Sequence, residues 1–275
     1  MKIGEALRAS AALGLERLDA QVLMLHVLRR EATDRAWLLA HDTDPLHAED
    51  HARYVELCRR RAAGEPVAYL VGRKEFFGMD LLVDKRVLVP RPDTETLVQW
   101  ALELLPVDGE SRVIDLGTGS GAIALALKKS RPRARMEAVD RSEDALAVAR
   151  SNAALHSLDV GFRMADWLAG ADGGYDLVVS NPPYIAGNDP HLAALGSEPA
   201  QALVSGADGL DDLRNIVAQA PSCLSRGGWL LLEHGYGQAG AVRALLGAAG
   251  FASVATRLDL AGNERCSGGQ WLELG

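Results

Sequence analysis

The chain has 275 residues, 48% of them hydrophobic and 24% charged, with 29 Lys and Arg against 37 Asp and Glu for a net charge of −8. That leaves room for one large domain and a small one, and it disfavours a general nucleic-acid binder, whose affinity rests on positive charge. No apolar run approaches the ~20 residues that span a bilayer. Residues 1–20, broken by Glu5, Arg8, Glu16 and Arg17, lack the apolar core of a secretion signal, so a cytoplasmic protein is expected. Cys58, Cys223 and Cys266 lie far apart with no CxxC and no adjacent histidine. This speaks against a disulfide framework and against a metal site.

Residues 1 to about 70 read as short amphipathic helices. Leu18, Val22, Leu25 and Leu28 have helical spacing, and Asp19 is placed to cap that helix. A second helix is predicted from about Pro45 to Ala63, closed by Gly64. The run Arg59-Arg60-Arg61 reads as a solvated or internally paired face. Over residues 75–89 the period becomes two, with Phe77, Met79, Leu81 and Val83 alternating. Val87-Leu88-Val89 follows a polar step at Asp84-Lys85, so a β-hairpin is expected there. From residue 94 onward, strand-like runs at Val113–Leu116, Met136–Val139, Leu177–Ser180 and Trp229–Glu233 alternate with helical stretches such as Ala122–Lys129 and Asp144–His156. That alternation predicts a parallel sheet covered on both faces, with ligands at the carboxyl ends of the strands.

Three such strand ends suit a cofactor. The first carries Gly117-Thr118-Gly119-Ser120-Gly121 between strand and helix, where glycines permit a sharp turn and close approach of a ligand. The same turn also fits a dinucleotide. The second ends in Asp140, suited to ribose hydroxyls; it would also serve as a helix cap, but Ser142 is available for that. The third carries Asp166-Trp167, a polar group for an exocyclic amine beside a flat surface for a ring.

The fourth strand end, Asn181-Pro182-Pro183-Tyr184, is the most specific feature of the chain. Paired prolines fix the backbone and keep Asn181 out of helix. The loop then offers an amide oxygen, a carbonyl and an aromatic ring. These suit a planar nitrogen with two N–H groups. Asn181 Oδ1 accepts one, the Pro182 carbonyl accepts the other, and Tyr184 packs on the plane, leaving the nitrogen lone pair turned toward a sulfonium methyl. Catalysis would come from positioning and electrostatics.

In this order, DLGTGSG, AVD, ADW and VVSNPPYI resemble class I S-adenosylmethionine methyltransferases of the NPPY type. More closely, the chain resembles the HemK/PrmC family of release factor glutamine methyltransferases. Residues 64–98 (GEPVAYLVGRKEFFGMDLLVDKRVLVPRPDTETLV), 198–217 and 227–238 carry that likeness too, which spans most of residues 59–265. The resemblance implies a Rossmann-like, mostly parallel seven-stranded sheet. It also implies a helical substrate-recognition domain over 1–70, a hairpin linker over 71–93 and a catalytic domain over 94–275. Gly117 through Gly121, Asp140, Asp166, Trp167 and Asn181 would hold S-adenosyl-L-methionine. Asn181, Pro182, Pro183 and Tyr184 would form the glutamine pocket, and the Arg91–Glu95 segment would close over the cofactor. The partner would be a peptide chain release factor, methylated at its Gly-Gly-Gln glutamine. The chain departs from the family at Ala165, where glycine is common, and at Asn263-Glu264-Arg265, where an Asp-Arg-like pair is expected. Its own Gly268-Gly269-Gln270 reads as a turn before a last antiparallel strand.

Three other readings remain. A methyltransferase acting on the exocyclic amine of adenine shares the chemistry but usually needs a basic groove. An NAD-dependent dehydrogenase explains the glycine turn and leaves the proline loop without a task. A silent binding module would have no need of the complete Asn-Pro-Pro-Tyr set.

Overall fold

The computed structural model describes residues 1–272, which fall into two compact units, the second beginning at Lys74. The first is helical: α1 Ile3–Ala11, α2 Arg17–Val27, α3 Arg35–Ala40, α4 Ala48–Ala62 and α5 Val67–Val71. Leu23, Met24, Leu25, Leu38, Tyr54 and Cys58 make its core. Asp19 is not the cap of α2. It lies in the first turn and pairs with Arg61 at 2.6 Å, while Glu16 precedes the helix. Helix α4 starts later than expected, because Pro45 is held in a bridge to Lys2. Arg60 pairs with Glu65, so two of the three consecutive arginines are internally paired.

A hairpin of β1 Arg73–Phe76 and β2 Met79–Leu82 follows the helices. Its turn is Phe77-Gly78 rather than Asp84-Lys85. Both residues have positive φ, 49° and 69°, the backbone that a two-residue hairpin turn requires. Val87–Val89 is not a strand. After α6 Glu95–Leu104 the chain alternates: β3 Arg112–Leu116, α7 Ala122–Ser130, β4 Arg135–Asp140, α8 Glu143–Leu155, β5 Gly161–Met164 and β6 Tyr175–Ser180. Then come α9 Asp211–Gln219, β7 Leu224–Glu233, α10 Ala239–Ala248, β8 Ala252–Leu258 and β9 Glu264–Gln270.

The strands form one seven-stranded sheet in the order β5-β4-β3-β6-β7-β9-β8. The first five are parallel, and β9 runs antiparallel to both neighbours. Alternate residues feed two cores. Val113, Leu177, Val179 and Leu231 face one; Ile114, Val178, Leu230 and Leu232 face the other. Burial on both faces explains why these strands read as unbroken apolar runs. Gly268 and Gly269 do not form a turn: they sit inside β9, paired with Leu231 and Leu230. A Cβ on Gly268 would lie 2.4 Å from Leu231 Cδ2, so close packing demands glycine there. Both glycines are buried, and Gln270 donates to the Gly227 carbonyl, so this internal Gly-Gly-Gln is not presented to a site.

The register places Leu116 beside Val139 and Ser180, and Ser180 beside Leu232. The carboxyl ends of β4, β3, β6 and β7 therefore form one row, with the switch in strand order between β3 and β6. One buried side chain ties the hairpin to the glycine loop at that row. Asn152 on α8 accepts from Leu82 N at 2.7 Å and donates to the carbonyls of Leu82 and Ser120. Asn152→Leu leaves these groups unpaired, and it is expected to lower the unfolding free energy by about 3 kcal/mol. Urea denaturation measures this; a change under about 0.5 kcal/mol, as at an ordinary surface site, would contradict it.

Candidate active site

A cleft opens over the switch point, the place where open α/β sheets bind their ligands. Gly117, Gly119, Asp140, Ala165, Asp166, Trp167, Asn181 and Pro183 line it. Arg86, Val87 and Leu88 form its edge from the segment after the hairpin. Thr118, Ser120, Gly121, Pro182 and Tyr184 are not among the lining residues.

Thr118 and Ser120 instead build the loop. The Thr118 hydroxyl donates to Asp115 Oδ2 at 2.7 Å. Burial pushes the Asp115 carboxyl up to about 7, against the hydrogen bonds of Thr118 and Ala124 N. Gly117 has φ 68°, and a Cβ there would stand 3.2 Å from the Trp167 ring. The indole is thus the floor under the glycine turn. It is buried, on a backbone with φ 51° that a bulky residue rarely adopts. Asp140 Oδ2 accepts from Gly119 N and Oδ1 from Ser142 N, both at 2.9 Å. The helix cap of α8 is Ser142, whose Oγ accepts from Ala145 N, so each Asp140 oxygen keeps a lone pair for a ligand.

The proline loop is held from behind. Gln238 Nε2 donates to the Tyr184 carbonyl at 3.0 Å, and Ile185 N donates to the Leu203 carbonyl. Gly209 passes so close that a Cβ would lie 2.3 Å from the Tyr184 carbonyl oxygen. In front, the Asn181 amide nitrogen donates to Thr94 Oγ1 at 3.1 Å. The Tyr184 hydroxyl donates to Glu233 Oε1 at 3.2 Å. Sequence reasoning gave Glu233 no role. It ends β7 as Asp140 ends β4, and that position was the available signal. Glu233 is fully buried and its Oε2 has no hydrogen-bond partner. Burial drives its carboxyl up to about 7, opposed by the Thr94 hydroxyl, Arg265 and Tyr184. Arg265 in turn pairs with Asp259 at 3.0 Å and with Asp93 at 3.3 Å. The acid partner of this arginine thus comes from the preceding turn and from Asp93, not from the adjacent Asn263-Glu264.

The strand order, the glycine turn and the acidic strand end define a class I methyltransferase. Residues 94–207 match the methyltransferase small domain and residues 3–72 the PrmC N-terminal domain. A methyltransferase from Pyrococcus furiosus shares the fold, with a TM-score of 0.55 at 18% identity over 82% of this chain and 100% of that one. A release factor glutamine methyltransferase of Xylella fastidiosa (strain Temecula1) is 49% identical over 96% of this chain and 97% of its own. One from Bordetella pertussis is 50% identical over 93% of this chain and 95% of its own. The chain belongs to the release factor glutamine methyltransferase family.

Because Glu233 has a higher pKa in the folded protein than the ordinary 4.5, the native state holds its proton more tightly than the unfolded chain does. Its contribution to stability is complete below about pH 4.5 and is lost as pH rises through about 7. Glu233→Gln removes that loss. The variant is expected to gain on the order of 3 kcal/mol over the parent on going from acid to alkaline pH. Urea midpoints across pH measure this, and parallel curves for the two proteins would contradict it.

Proposed function

We propose that this chain transfers the methyl group of S-adenosyl-L-methionine to the side-chain amide nitrogen of the glutamine in the Gly-Gly-Gln motif of release factors, in the cytoplasm. The observation that carries this reading is the orientation of Asn181. Its nitrogen is engaged by Thr94, so its oxygen is the atom left to accept. Among the described residues, no donor occupies the Pro182 carbonyl. Two acceptors on a stiff loop match the two N–H groups of a primary amide.

The residues of the cleft fit the cofactor. Gly117 and Gly119 would admit its methionine end, since neither presents a side chain. The free lone pairs of Asp140 would accept from its ribose hydroxyls. Asp166 stands exposed at the cleft wall, where it would accept from an exocyclic amine, above the indole of Trp167. When bound, the cofactor supplies an electrophilic methyl carried on a sulfonium.

Everything else falls to the chain. Asn181 Oδ1 and the Pro182 carbonyl would take the two amide hydrogens and so turn the nitrogen face toward the methyl. As charge develops on that nitrogen, both N–H groups become stronger donors, and fixed acceptors then favour the transition state over the ground state. Tyr184, tethered by its hydroxyl, would bound the pocket with its ring, and Pro183 would form the wall shared with the cleft. Asn181 is a neutral amide and does not act as a base, so the extra proton would leave to water after the methyl has arrived. The helical unit over residues 1–70 would recognise the protein substrate.

The test uses radiolabelled S-adenosyl-L-methionine with a purified release factor and with a copy whose Gly-Gly-Gln glutamine is alanine. Label on the first and not on the second is the expected result. Label on both, or on neither, would overturn the reading. Label on neither, with transfer to the adenine amine of an oligonucleotide instead, would put the acceptor in nucleic acid.

A further inference from the structure

We infer that Gln238 is a positioning residue for methyl transfer: it fixes the proline loop through the Tyr184 carbonyl, from a turn that the buried pair His234 and Ser267 holds in place. This deepens the reading of the pocket given above and rests on it.

The need for such a residue follows from the loop itself. Asn181 Oδ1 and the Pro182 carbonyl would both meet one amide nitrogen, so their place relative to the methyl group governs the rate. Pro182 and Pro183 have fixed φ, so the segment moves nearly as one piece. A shift imposed at the Tyr184 carbonyl is passed back to Pro182 rather than absorbed between them. A displacement of about 1 Å costs on the order of a hundredfold in rate.

Gln238 stands half-buried just before α10. Its Nε2 donates to the Tyr184 carbonyl at 3.0 Å, and the carbonyl oxygens of Gly209 and Asp208 lie 3.2 and 3.4 Å from the same nitrogen. Its Oε1 accepts from Gly235 N at 2.9 Å. Three carbonyls on one side and an N–H on the other leave the amide a single orientation. The fit is close at both ends. A Cβ on Gly209 would stand 2.7 Å from Nε2, and one on Gly235 would stand 3.1 Å from Oε1 and 3.7 Å from Tyr184 Cδ2.

Gly235 is itself held. Its carbonyl accepts from Gln238 N at 2.9 Å and lies 2.9 Å from His234 Nδ1. A carbonyl only accepts, so Nδ1 carries the proton. His234 is fully buried, and burial holds its imidazole below the ordinary range. Its Nε2 is therefore bare and accepts from the Ser267 hydroxyl at 2.8 Å. Ser267 Oγ in turn accepts from the Thr256 hydroxyl at 2.8 Å, and Thr256 Oγ1 accepts from Arg243 Nη1 at 2.8 Å. Each side-chain donor in this series points toward the turn. Neither Gln238 nor His234 lines the cleft, and both act through the backbone of their neighbours.

The experiment follows label transfer to a purified release factor by the parent, Gln238→Met, Gln238→Glu and Asn181→Ala across pH. Calorimetry gives the affinity for S-adenosyl-L-methionine and the fraction of each protein that binds it. Gln238→Met keeps the length of the side chain and removes both polar ends. Its kcat, per cofactor-binding molecule, is expected to drop by roughly tenfold or more at every pH, as for a misplaced reacting group. KM for the release factor is expected to stay near the parental value, because the fixed acceptors act in the transition state. Gln238→Glu has nearly the same outline. Its carboxyl donates to the Tyr184 carbonyl when protonated, and repels three carbonyls when ionised. The ratio of its kcat to the parent's is therefore near one at acid pH and falls as pH rises. The charged and titratable neighbours are Tyr184 with Glu233, Asp208 with Arg214, and His234; they are common to both proteins and cancel in that ratio. Parental kcat in Gln238→Met, a ratio for Gln238→Glu that is flat with pH, or a loss of cofactor-binding molecules that accounts for the whole fall in rate overturns the inference, even while Asn181→Ala is crippled. Parental turnover in Asn181→Ala would instead remove the underlying reading of the pocket and the inference with it.

Discussion

A loop with two consecutive prolines has two backbone nitrogens that donate nothing, so whatever fixes it must come from elsewhere in the fold. Around residues 181–184 that support comes from three directions. Gln238 and Gly209 hold the Tyr184 carbonyl from behind. The strand-like bridge of Ile185 to Val204 fixes the exit. Thr94 and Glu233 engage the two polar side chains from the front. Asn181 Oδ1 and the Pro182 carbonyl accept from no donor among the described residues and stay available to a ligand. A weakly nucleophilic amide nitrogen gains most from such fixed acceptors, because they need no reorganisation when charge develops.

The parallel sheet brings these parts together at little sequence cost. Adjacent strands in register set Leu116, Val139, Ser180 and Leu232 level with one another. Each residue just beyond that line then emerges at the same edge. The glycine turn, Asp140, Asn181 and Glu233 are neighbours for that reason, though they lie far apart in the chain. Burial on both faces keeps the edge rigid, with Val113 and Ile114 anchoring one strand in two opposite cores. The glycines of the turn sit at positive φ and leave the cleft floor to the indole of Trp167.

Much of this was legible in the sequence. Apolar runs located β3, β4, β6 and the end of β7, and the motif after each strand marked the edge where the cleft lies. What periodicity misplaced were local choices made by single contacts. The hairpin turns at Phe77-Gly78 because that pair accepts two positive φ angles, and alternation alone does not mark which pair will. Gly268 and Gly269 lie within a strand because Leu231, Trp100 and Phe251 press on it, a crowding that only the folded sheet creates. Asn152 resembles any polar helical residue until Leu82 and Ser120 are seen around it. Glu233 showed only an acidic residue closing an apolar run, and its link to Tyr184 spans 49 positions.

The central claim is that Asn181 Oδ1 and the Pro182 carbonyl together hold a glutamine amide. The most direct measurement is a crystal structure of the protein with S-adenosylhomocysteine and a Gly-Gly-Gln peptide. The account predicts the glutamine nitrogen within about 3.2 Å of both oxygens, with Asn181 Nδ2 still on Thr94 Oγ1. A glutamine nitrogen outside hydrogen-bonding distance of either oxygen, or an Asn181 amide turned with its nitrogen toward the substrate, would contradict it.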